Sequence, residues 1–361
     1  MENNFKYPSF AIGFHSGWND SNNSPTMKLS LTRRKKIFLS ESQYEVIFSE
    51  KDIPPFLIKN KKGKMEGLSS GAGSSIIKFN ENYFKIKRNG YRYGGFIERA
   101  IPDREFILKD GLNEACDDED AGLLSLEDAE RELKIEKELE KLGFIIPQKI
   151  VGLYSLENPF EDENSVAIIQ KITTDFRADE YCAILLTNLF YDLYGKNCKI
   201  DLKESRFRFG KYSLKKALEI LNNQYSEQFL EIGKNIGKIY KSLHLAGYTR
   251  GLSNSWYGNE LICEDGKMGI CDLESCFSIK EIKDRRVFDN LLKTDIALAK
   301  TAFYDSMNYF ENSLASFVGV KLIEGFDEGY RTNMAKELNP KEIKEQIDKF
   351  NKVKNFIIKN D

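Results

Sequence analysis

The stretch GLSSGAGSSIIKFNENYFKIKR, residues 67–88, decides the fold of the first half of the chain. Two runs rich in β-branched and aromatic residues flank a turn of Asn and Glu at 80–82, and this pattern predicts a β-hairpin. Since side chains alternate along a strand, Lys85 and Lys87 share one face of the second strand, and the apolar residues between them take the other. The hairpin therefore presents two lysines on a single face.

A glycine- and serine-rich segment leads into this hairpin. Gly71 and Gly73 have no side chain to keep a ligand away from the backbone, so their N–H groups can approach phosphate oxygens, and Ser74 adds a hydroxyl donor. A plain flexible turn is the other interpretation of such a segment. The strands on both sides of it favour phosphate binding.

The composition is that of a globular protein, because 41% of the 361 residues are hydrophobic and 30% are charged. The formal net charge of −2 argues against general nucleic-acid binding. No apolar run is long enough to cross a membrane, and the first residues, MENNFKYPSF, lack the features of a secretory signal. Six cysteines without a C-x-x-C pair indicate reduced thiols. We therefore expect a cytoplasmic protein with no membrane partner.

Residues 1–64 form a basic N-terminal extension with short β-like runs, and they carry eleven Lys or Arg against six Asp or Glu. A solvated β-rich segment is the plain interpretation of this charge, and a site for an anionic partner is the alternative. Residues 103–140 are acidic, with fifteen Asp or Glu against five Lys or Arg. We interpret the run DDED at 117–120 as a solvated loop.

A helix follows the acidic run. SLED at 125–128 has the form of a capping box, and the pattern ELKIEKELEKLGF continues the helix from there. A lysine that points at phosphates needs a carboxylate to hold it, and this helix supplies candidates. Glu132 is our choice, with Glu127, Glu130 and Glu136 as competitors.

Two strands, IIPQKIVGLY and SVAIIQKI, are predicted next, and the chain is mainly helical after about residue 180. One helix before residue 245 has a clear apolar face, which predicts that this face lies in the core. Its residues are Phe229, Ile232, Ile236, Ile239 and Leu243. At its end we expect His244 to bond a backbone carbonyl.

A second pair of short strands, ELICED and KMGICDL, surrounds a Glu-Asp-Gly turn. Asn259 precedes the first of these strands, and Asp272 ends the second. Further on, Asn339 and Pro340 have the form of a helix cap and a first helical residue, and they predict a last helix with an apolar face. The residues of that face are Ile343, Ile347 and Phe350.

In this order, the glycine-rich hairpin, the lysine strand, the helix with an early glutamate and the later strands resemble the protein-kinase-like superfamily. The likeness covers roughly residues 65–335 and is nearest the aminoglycoside-phosphotransferase-like proteins and the sugar kinases of lipopolysaccharide core assembly. KIKRNGYRYGGF is similar to a stretch of those sugar kinases, and GFDEGY at 325–330 to the late helix of the phosphotransferases. The resemblance implies an α+β, two-lobed fold, with a β-rich N-lobe at 65–172 and a helical C-lobe at 173–361.

The resemblance also implies ligands and roles. Lys87, or Lys85 on the same face, would hold the phosphates of ATP with Glu132 as its partner. The backbone around Lys171 would hold the adenine edge. Asn259 and Asp272 would bind Mg²⁺ through oxygen, the donor that this ion prefers, and Asp272 would thereby act in catalysis.

The loop LHLAGYTRGLSNSWYGNELI, residues 243–262, departs from the family. The family has its catalytic aspartate five positions before its asparagine, and here that position is Asn254. Counted instead from the Ala246–Gly247 turn, the position is Leu252, with Arg250 in place of its partner. Asn254 can orient a hydroxyl and Arg250 can neutralise charge, but neither accepts a proton at neutral pH. Both remain candidate catalytic residues of a site without its usual base.

These observations predict an atypical kinase-like protein that binds Mg-ATP. A slow ATP-dependent phosphotransferase is the favoured activity, and the residues do not identify its acceptor. Two alternatives stay open. One is a pseudokinase that works as an interaction module, and the other is a nucleotidyl transferase of the kinase fold.

Overall fold

The structure is a computed structural model that describes residues 44–50, 68–69, 74–79, 82–87, 126–156, 165–194, 211–250, 259–273, 276–282, 284–305, 312–332 and 335–345. The chain divides into two compact units, and the boundary between them falls after Thr173. In the described residues the first unit is mainly strands and the second mainly helices. The fold is therefore mixed α and β, as the sequence predicted.

An antiparallel sheet forms the first unit, and the described residues supply six of its strands. They are β1 (Tyr44–Ser49), β2 (Leu68–Ser69), β3 (Ser74–Phe79), β4 (Asn82–Lys87), β5 (Gln148–Leu156) and β6 (Ser165–Ile172). Their spatial order is β1-β5-β6-β4-β3-β2. The predicted hairpin is confirmed, since Phe79 at the end of β3 pairs with Asn82 at the start of β4. β4 lies between β3 and β6, and its last four residues, whose side chains point alternately to the two faces of the sheet, are buried.

Helix α1 (Leu126–Lys141) packs on this sheet. The helix begins where the SLED motif predicted, with Glu127 and Asp128 in its first turn, where the helix dipole favours acidic side chains. It ends before Gly143, whose φ of +86° is the left-handed conformation that glycine adopts most easily. An apolar cluster joins the helix to the sheet. Its members are Ala129, Leu133, Ile150, Leu153, Val166 and Ile168.

The described part of the second unit contains five longer helices. They are α2 (Ala178–Tyr194), α3 (Lys211–Ile220), α4 (Ser226–Leu245), α5 (Arg285–Asp305) and α6 (Asn312–Thr332). A π-helical turn, Leu221–Tyr225, joins α3 to α4. The predicted apolar face of α4 is confirmed, because four of its five residues are fully buried and the fifth, Ile239, packs against the same core.

Four glycines bring α4 and α6 into backbone contact. They are Gly233 and Gly237 on α4 and Gly325 and Gly329 on α6. A Cβ on Gly237 would lie 2.2 Å from the carbonyl oxygen of Phe326, a distance that real Cβ atoms do not show. Any side chain at these positions would push the two helices apart. The GFDEGY sequence is thus explained by helix packing.

Short strands and one more helix complete the described part of the second unit. The strands are β7 (Tyr248–Thr249), β8 (Glu260–Ile262), β9 (Met268–Ile270) and β10 (Phe277–Ser278), and β8 pairs with β9 as the sequence predicted. A last helix begins at 340, where the Oδ1 atom of Asn339 accepts the N–H of Lys341 at 3.1 Å, so the predicted cap is confirmed. Ile343 is buried in the core, and Ile347 and Phe350 lie outside the described residues.

Within the described residues both ring nitrogens of His244 face side chains instead of a backbone carbonyl, so that prediction was wrong. Its Nδ1 atom is 2.8 Å from the hydroxyl of Tyr330 on α6, and its Nε2 atom is 3.2 Å from Oδ2 of Asp295 on α5. Asp295 also accepts the backbone N–H of Arg250. The imidazole therefore links three helices and the start of the loop that follows β7.

Candidate functional site

An ion pair buried under α1 is the first part of the candidate site. The Nζ atom of Lys87 lies 3.0 Å from both carboxylate oxygens of Glu132. Lys87 is 5% exposed and Glu132 is 1% exposed, so both charges are removed from water. Lys87 also lies opposite Ser74, the residue that follows Gly73 in the chain. The pair therefore sits where the glycine-rich segment enters the sheet.

Lys85 occupies the same face of β4 but has a different partner. Its Nζ atom donates to the Oε1 atom of Gln148, the first residue of β5, at 3.1 Å. Both side chains are buried. The sequence left Lys85 and Lys87 as alternatives for the phosphate-binding lysine, and the structure shows that Lys87 is the one paired with Glu132.

Glu136, one turn further along α1, connects the helix to the sheet. Its Oε1 atom accepts the backbone N–H of Ile150 at 2.8 Å, which ties α1 to β5. Burial raises the pKa of Glu136 to about 8, and the nearby carboxylates of Glu132 and Glu140 add to this shift. Among the carboxylates that competed in the sequence, Glu132 is thus the one against the lysine strand.

The structure describes only some of the remaining candidate residues. Lys171 is exposed on β6, and its backbone pairs with Phe84 of β4. Ser74 is described as the first residue of β3. Gly71 and Gly73 lie outside the described residues, and so does Asn254 of the second unit. The roles predicted for them stay predictions.

In the second unit, Asn259 and Asp272 are held together at the open end of the β8–β9 pair. The N–H of Cys271 donates to the carbonyl oxygen of Asn259 at 3.0 Å, which extends the ladder by one step. Asp272 follows directly and has a φ of 60°, in the left-handed region that residues other than glycine rarely adopt. Strained backbone of this kind is concentrated at functional sites. The half-buried side chain of Asp272 makes it the strongest polar candidate of this unit.

Arg250 is a fully buried residue that binds the backbone around Asn259 and Asp272. Its guanidinium donates to the carbonyl oxygens of Cys271 at 2.6 Å, Asp272 at 3.0 Å and Asn259 at 3.3 Å. Its Nε atom lies 3.4 Å from Oε1 of Glu260. With 1% of its surface exposed, Arg250 holds backbone rather than a reacting group. The catalytic role that the sequence suggested for Arg250 stays a prediction.

Sequence reasoning missed Arg177, which contacts Asn259 directly. The NH1 atom of Arg177 donates to Oδ1 of Asn259 at 2.9 Å. Arg177 precedes α2, and its backbone N–H donates to Oε2 of Glu180 at 3.0 Å, as in one half of a capping box. A bridge to Leu261 places the same residue beside β8. The R-x-x-E spacing signals the cap, but no local signal points to Asn259, 82 residues away.

Asp272 and Asn259 differ in their fit to Mg²⁺. A half-buried carboxylate such as that of Asp272 fits the ion, which would complete its shell with phosphate oxygens and water. Asn259 does not fit in this arrangement: an ion bound to its Oδ1 atom at about 2.1 Å would lie roughly 4 Å from the guanidinium of Arg177. At that separation the guanidinium and the ion would repel each other. Within the described residues, no three His, Cys, Asp or Glu side chains form a metal-binding group.

Comparison with known proteins adds no family to this picture. A scan against protein-family models found no match, and a search of curated proteins found none either. Among the helices of the described part, none is long and apolar enough to cross a membrane. The function is therefore inferred from the geometry of the chain itself.

Proposed function

We propose that the chain binds Mg-ATP, with Lys87 serving the phosphates and Asp272 serving the metal ion. The observation that carries this proposal is the buried Lys87–Glu132 ion pair. Apolar residues of similar volume generally stabilise a protein as well as a buried ion pair does, because both charges lose their hydration. A lysine kept charged at such a position is therefore best explained by an anion that it binds.

The surroundings of the pair support a phosphate as that anion. Lys87 lies opposite Ser74, and the sequence has two glycines, whose lack of a side chain suits phosphate binding, just before Ser74. The order of a hairpin, a helix with the paired carboxylate and two further strands is the order that the kinase-like resemblance implies. On this basis we assign the first unit as the β-rich N-lobe and the second as the helical C-lobe.

The metal proposal rests on Asp272. Its left-handed backbone and the three carbonyls gathered by Arg250 place a carboxylate at a strand end with little freedom to move. When bound, Mg²⁺ would neutralise charge on the phosphates. The contribution of the second unit is to hold the carboxylate of Asp272 in one position.

A slow phosphotransferase is the activity that we propose. No acidic residue occurs between Gly247 and Asn259, so the hydroxyl acceptor has no base at the usual place. A positioned base contributes about 10²- to 10⁴-fold in rate, whereas charge neutralisation and positioning supply most of the catalysis of phosphoryl transfer. Asn254→Asp should therefore raise transfer from ATP if this position faces the acceptor. The mass of the product distinguishes phosphate transfer from nucleotidyl transfer, and ATP binding without any product indicates a pseudokinase.

Thermal unfolding of the full chain with nucleotides, with and without Mg²⁺, tests the binding proposal. ATP at about a hundred times its Kd should stabilise the protein by about 2.7 kcal/mol when Mg²⁺ is present. Asp272→Asn keeps the shape and tolerates the left-handed backbone, and it should lose the Mg²⁺-dependent part of this gain. Asp265→Asn, an exposed site in the same β8–β9 turn, is the matched control and should keep it. Absence of stabilisation by every nucleotide would refute the proposal.

A further inference from the structure

Asn259 and Arg177 form a contact that changes how many metal ions the site can take. The Oδ1 atom of Asn259, the oxygen that a metal ion would need, accepts a hydrogen bond from NH1 of Arg177 at 2.9 Å. Asn259 is 8% exposed, so the amide has little room to turn to another partner. A cation already occupies the position next to this oxygen.

Arg177 is fixed in this place by its backbone. Its backbone N–H donates to the side chain of Glu180 in the first turn of α2. An antiparallel β-bridge to Leu261 aligns Arg177 with β8. One residue away from this bridge, the N–H of Ile262 donates to the carbonyl oxygen of Phe176 at 2.8 Å. The segment before α2 therefore runs alongside β8, and the guanidinium reaches Asn259 without a change in the fold.

The charges around Arg177 keep it ionised. Cys271, Asp175, Asp179 and Glu180 lie close enough to interact electrostatically with the guanidinium. Asp175 and Glu180 are fully buried. These acidic groups raise the pKa of Arg177 further above its ordinary value, although burial acts in the opposite direction. A permanent positive charge thus sits beside Asn259 at any physiological pH.

We propose that Arg177 supplies the second positive charge of the nucleotide site, so that the chain binds ATP with one divalent ion, on Asp272, instead of two. A guanidinium presents five N–H donors in a planar fork, which suits phosphate oxygens, and one of them donates to Asn259 in the described residues. Asn259 then orients Arg177 and is not a metal ligand. This inference rests on the proposed binding of Mg-ATP.

Counting bound Mn²⁺ by electron paramagnetic resonance tests the inference. The full chain is saturated with a non-hydrolysable ATP analogue and titrated with Mn²⁺, which stands in for Mg²⁺. We expect one ion for each bound nucleotide. Asn259→Ala should leave this count at one, whereas a ligand role for Asn259 would lower the count in the variant. A count of two in the unaltered chain, reduced to one by Asn259→Ala, would overturn the inference.

Arg177 variants provide the second readout. Arg177→Ala should weaken binding of the analogue by roughly 10- to 100-fold at low Mn²⁺, the value of a charged hydrogen bond, with recovery at high Mn²⁺ as a second ion binds at Asn259. Arg177→Lys keeps the charge and should keep the count at one. Arg285→Ala, on the exposed part of α5, is the matched control and should behave like the unaltered chain.

The outcomes separate this inference from the proposal it rests on. If the unaltered chain binds no nucleotide, Mg-ATP binding fails and the single-ion site fails with it. If the chain binds nucleotide with two ions, only the role of Arg177 is refuted. If Arg177→Ala lowers the thermal midpoint of the free protein too far to titrate, the counts for Arg177→Lys and Asn259→Ala still decide the question.

Discussion

Replacing both members of the Lys87–Glu132 pair by apolar residues should separate its role in folding from its role in binding. Lys87→Met alone removes the ammonium that lies 3.0 Å from the Glu132 carboxylate, which is 1% exposed. Glu132→Leu alone removes the carboxylate from the Lys87 ammonium, which is 5% exposed. Because so little of either group reaches water, each single change should cost about 3–5 kcal/mol.

The double variant should behave differently. A Met and a Leu fill a similar volume and carry no charge, so the free energy of unfolding should return to within about 1 kcal/mol of the parent value or exceed it. The coupling energy between the two sites should therefore be at least about 5 kcal/mol, above the usual range for residues in contact. Far-UV circular dichroism of the full chain in urea measures all four corners of this cycle.

ATP binding by the double variant then gives the decisive comparison. We expect a stable protein in which the stabilisation by Mg-ATP is lost, because the ammonium of Lys87, the one proposed for the phosphates, is gone. Lys85→Met, which removes the neighbouring lysine and keeps the ion pair, should retain most of the effect. Single variants that cost less than about 1 kcal/mol would contradict the buried pair itself. A stable double variant that still binds Mg-ATP would make the pair purely structural.

Three further changes should have defined effects on stability. Gly237→Ala places a methyl group against the carbonyl oxygen of Phe326 and should lower the free energy of unfolding by about 2–3 kcal/mol in urea, whereas the exposed neighbour Lys238→Ala should change it by less than about 0.5 kcal/mol. Arg250→Met leaves buried carbonyls and a buried carboxylate without their donor, and the same assay should show a loss of at least about 3 kcal/mol. Glu136 has a pKa raised to about 8, so the folded state binds a proton that the unfolded state releases above its ordinary pKa. The stability that Glu136 contributes is present at acidic pH and is lost as pH rises through about 8. The melting temperature should therefore fall as pH rises towards 8, and Glu136→Gln should flatten that part of the curve of melting temperature against pH.

Local patterns predicted the elements that hold the site. The period of two in YFKIKR, the capping box before α1 and the apolar face of α4 each depend on neighbours within a few residues, so they can be read without the tertiary fold. The same holds for the cap at Asn339. These patterns place Lys87 on a strand and Glu132 on a helix.

The partners of these residues could not be predicted in the same way. Lys87 and Glu132 are 45 residues apart, and the choice among four glutamates depended on which helix face packs on the sheet. Arg250 donates to carbonyls up to 22 residues further on, a contact that only the return of β9 creates. The left-handed backbone of Asp272, which follows β9, likewise gives no local signal in the sequence.

The glycine contact between α4 and α6 has a consequence for how the amide protons of the second unit exchange with solvent. Water has no room where Gly237 touches Phe326, so the amides at the centre of both helices cannot exchange through small local openings. They exchange only when the two helices separate, an event that unfolds the core of the second unit as a whole. The slowest protons of the second unit should thus report its global unfolding, and those of the two-residue strands β7 and β10 should exchange long before them.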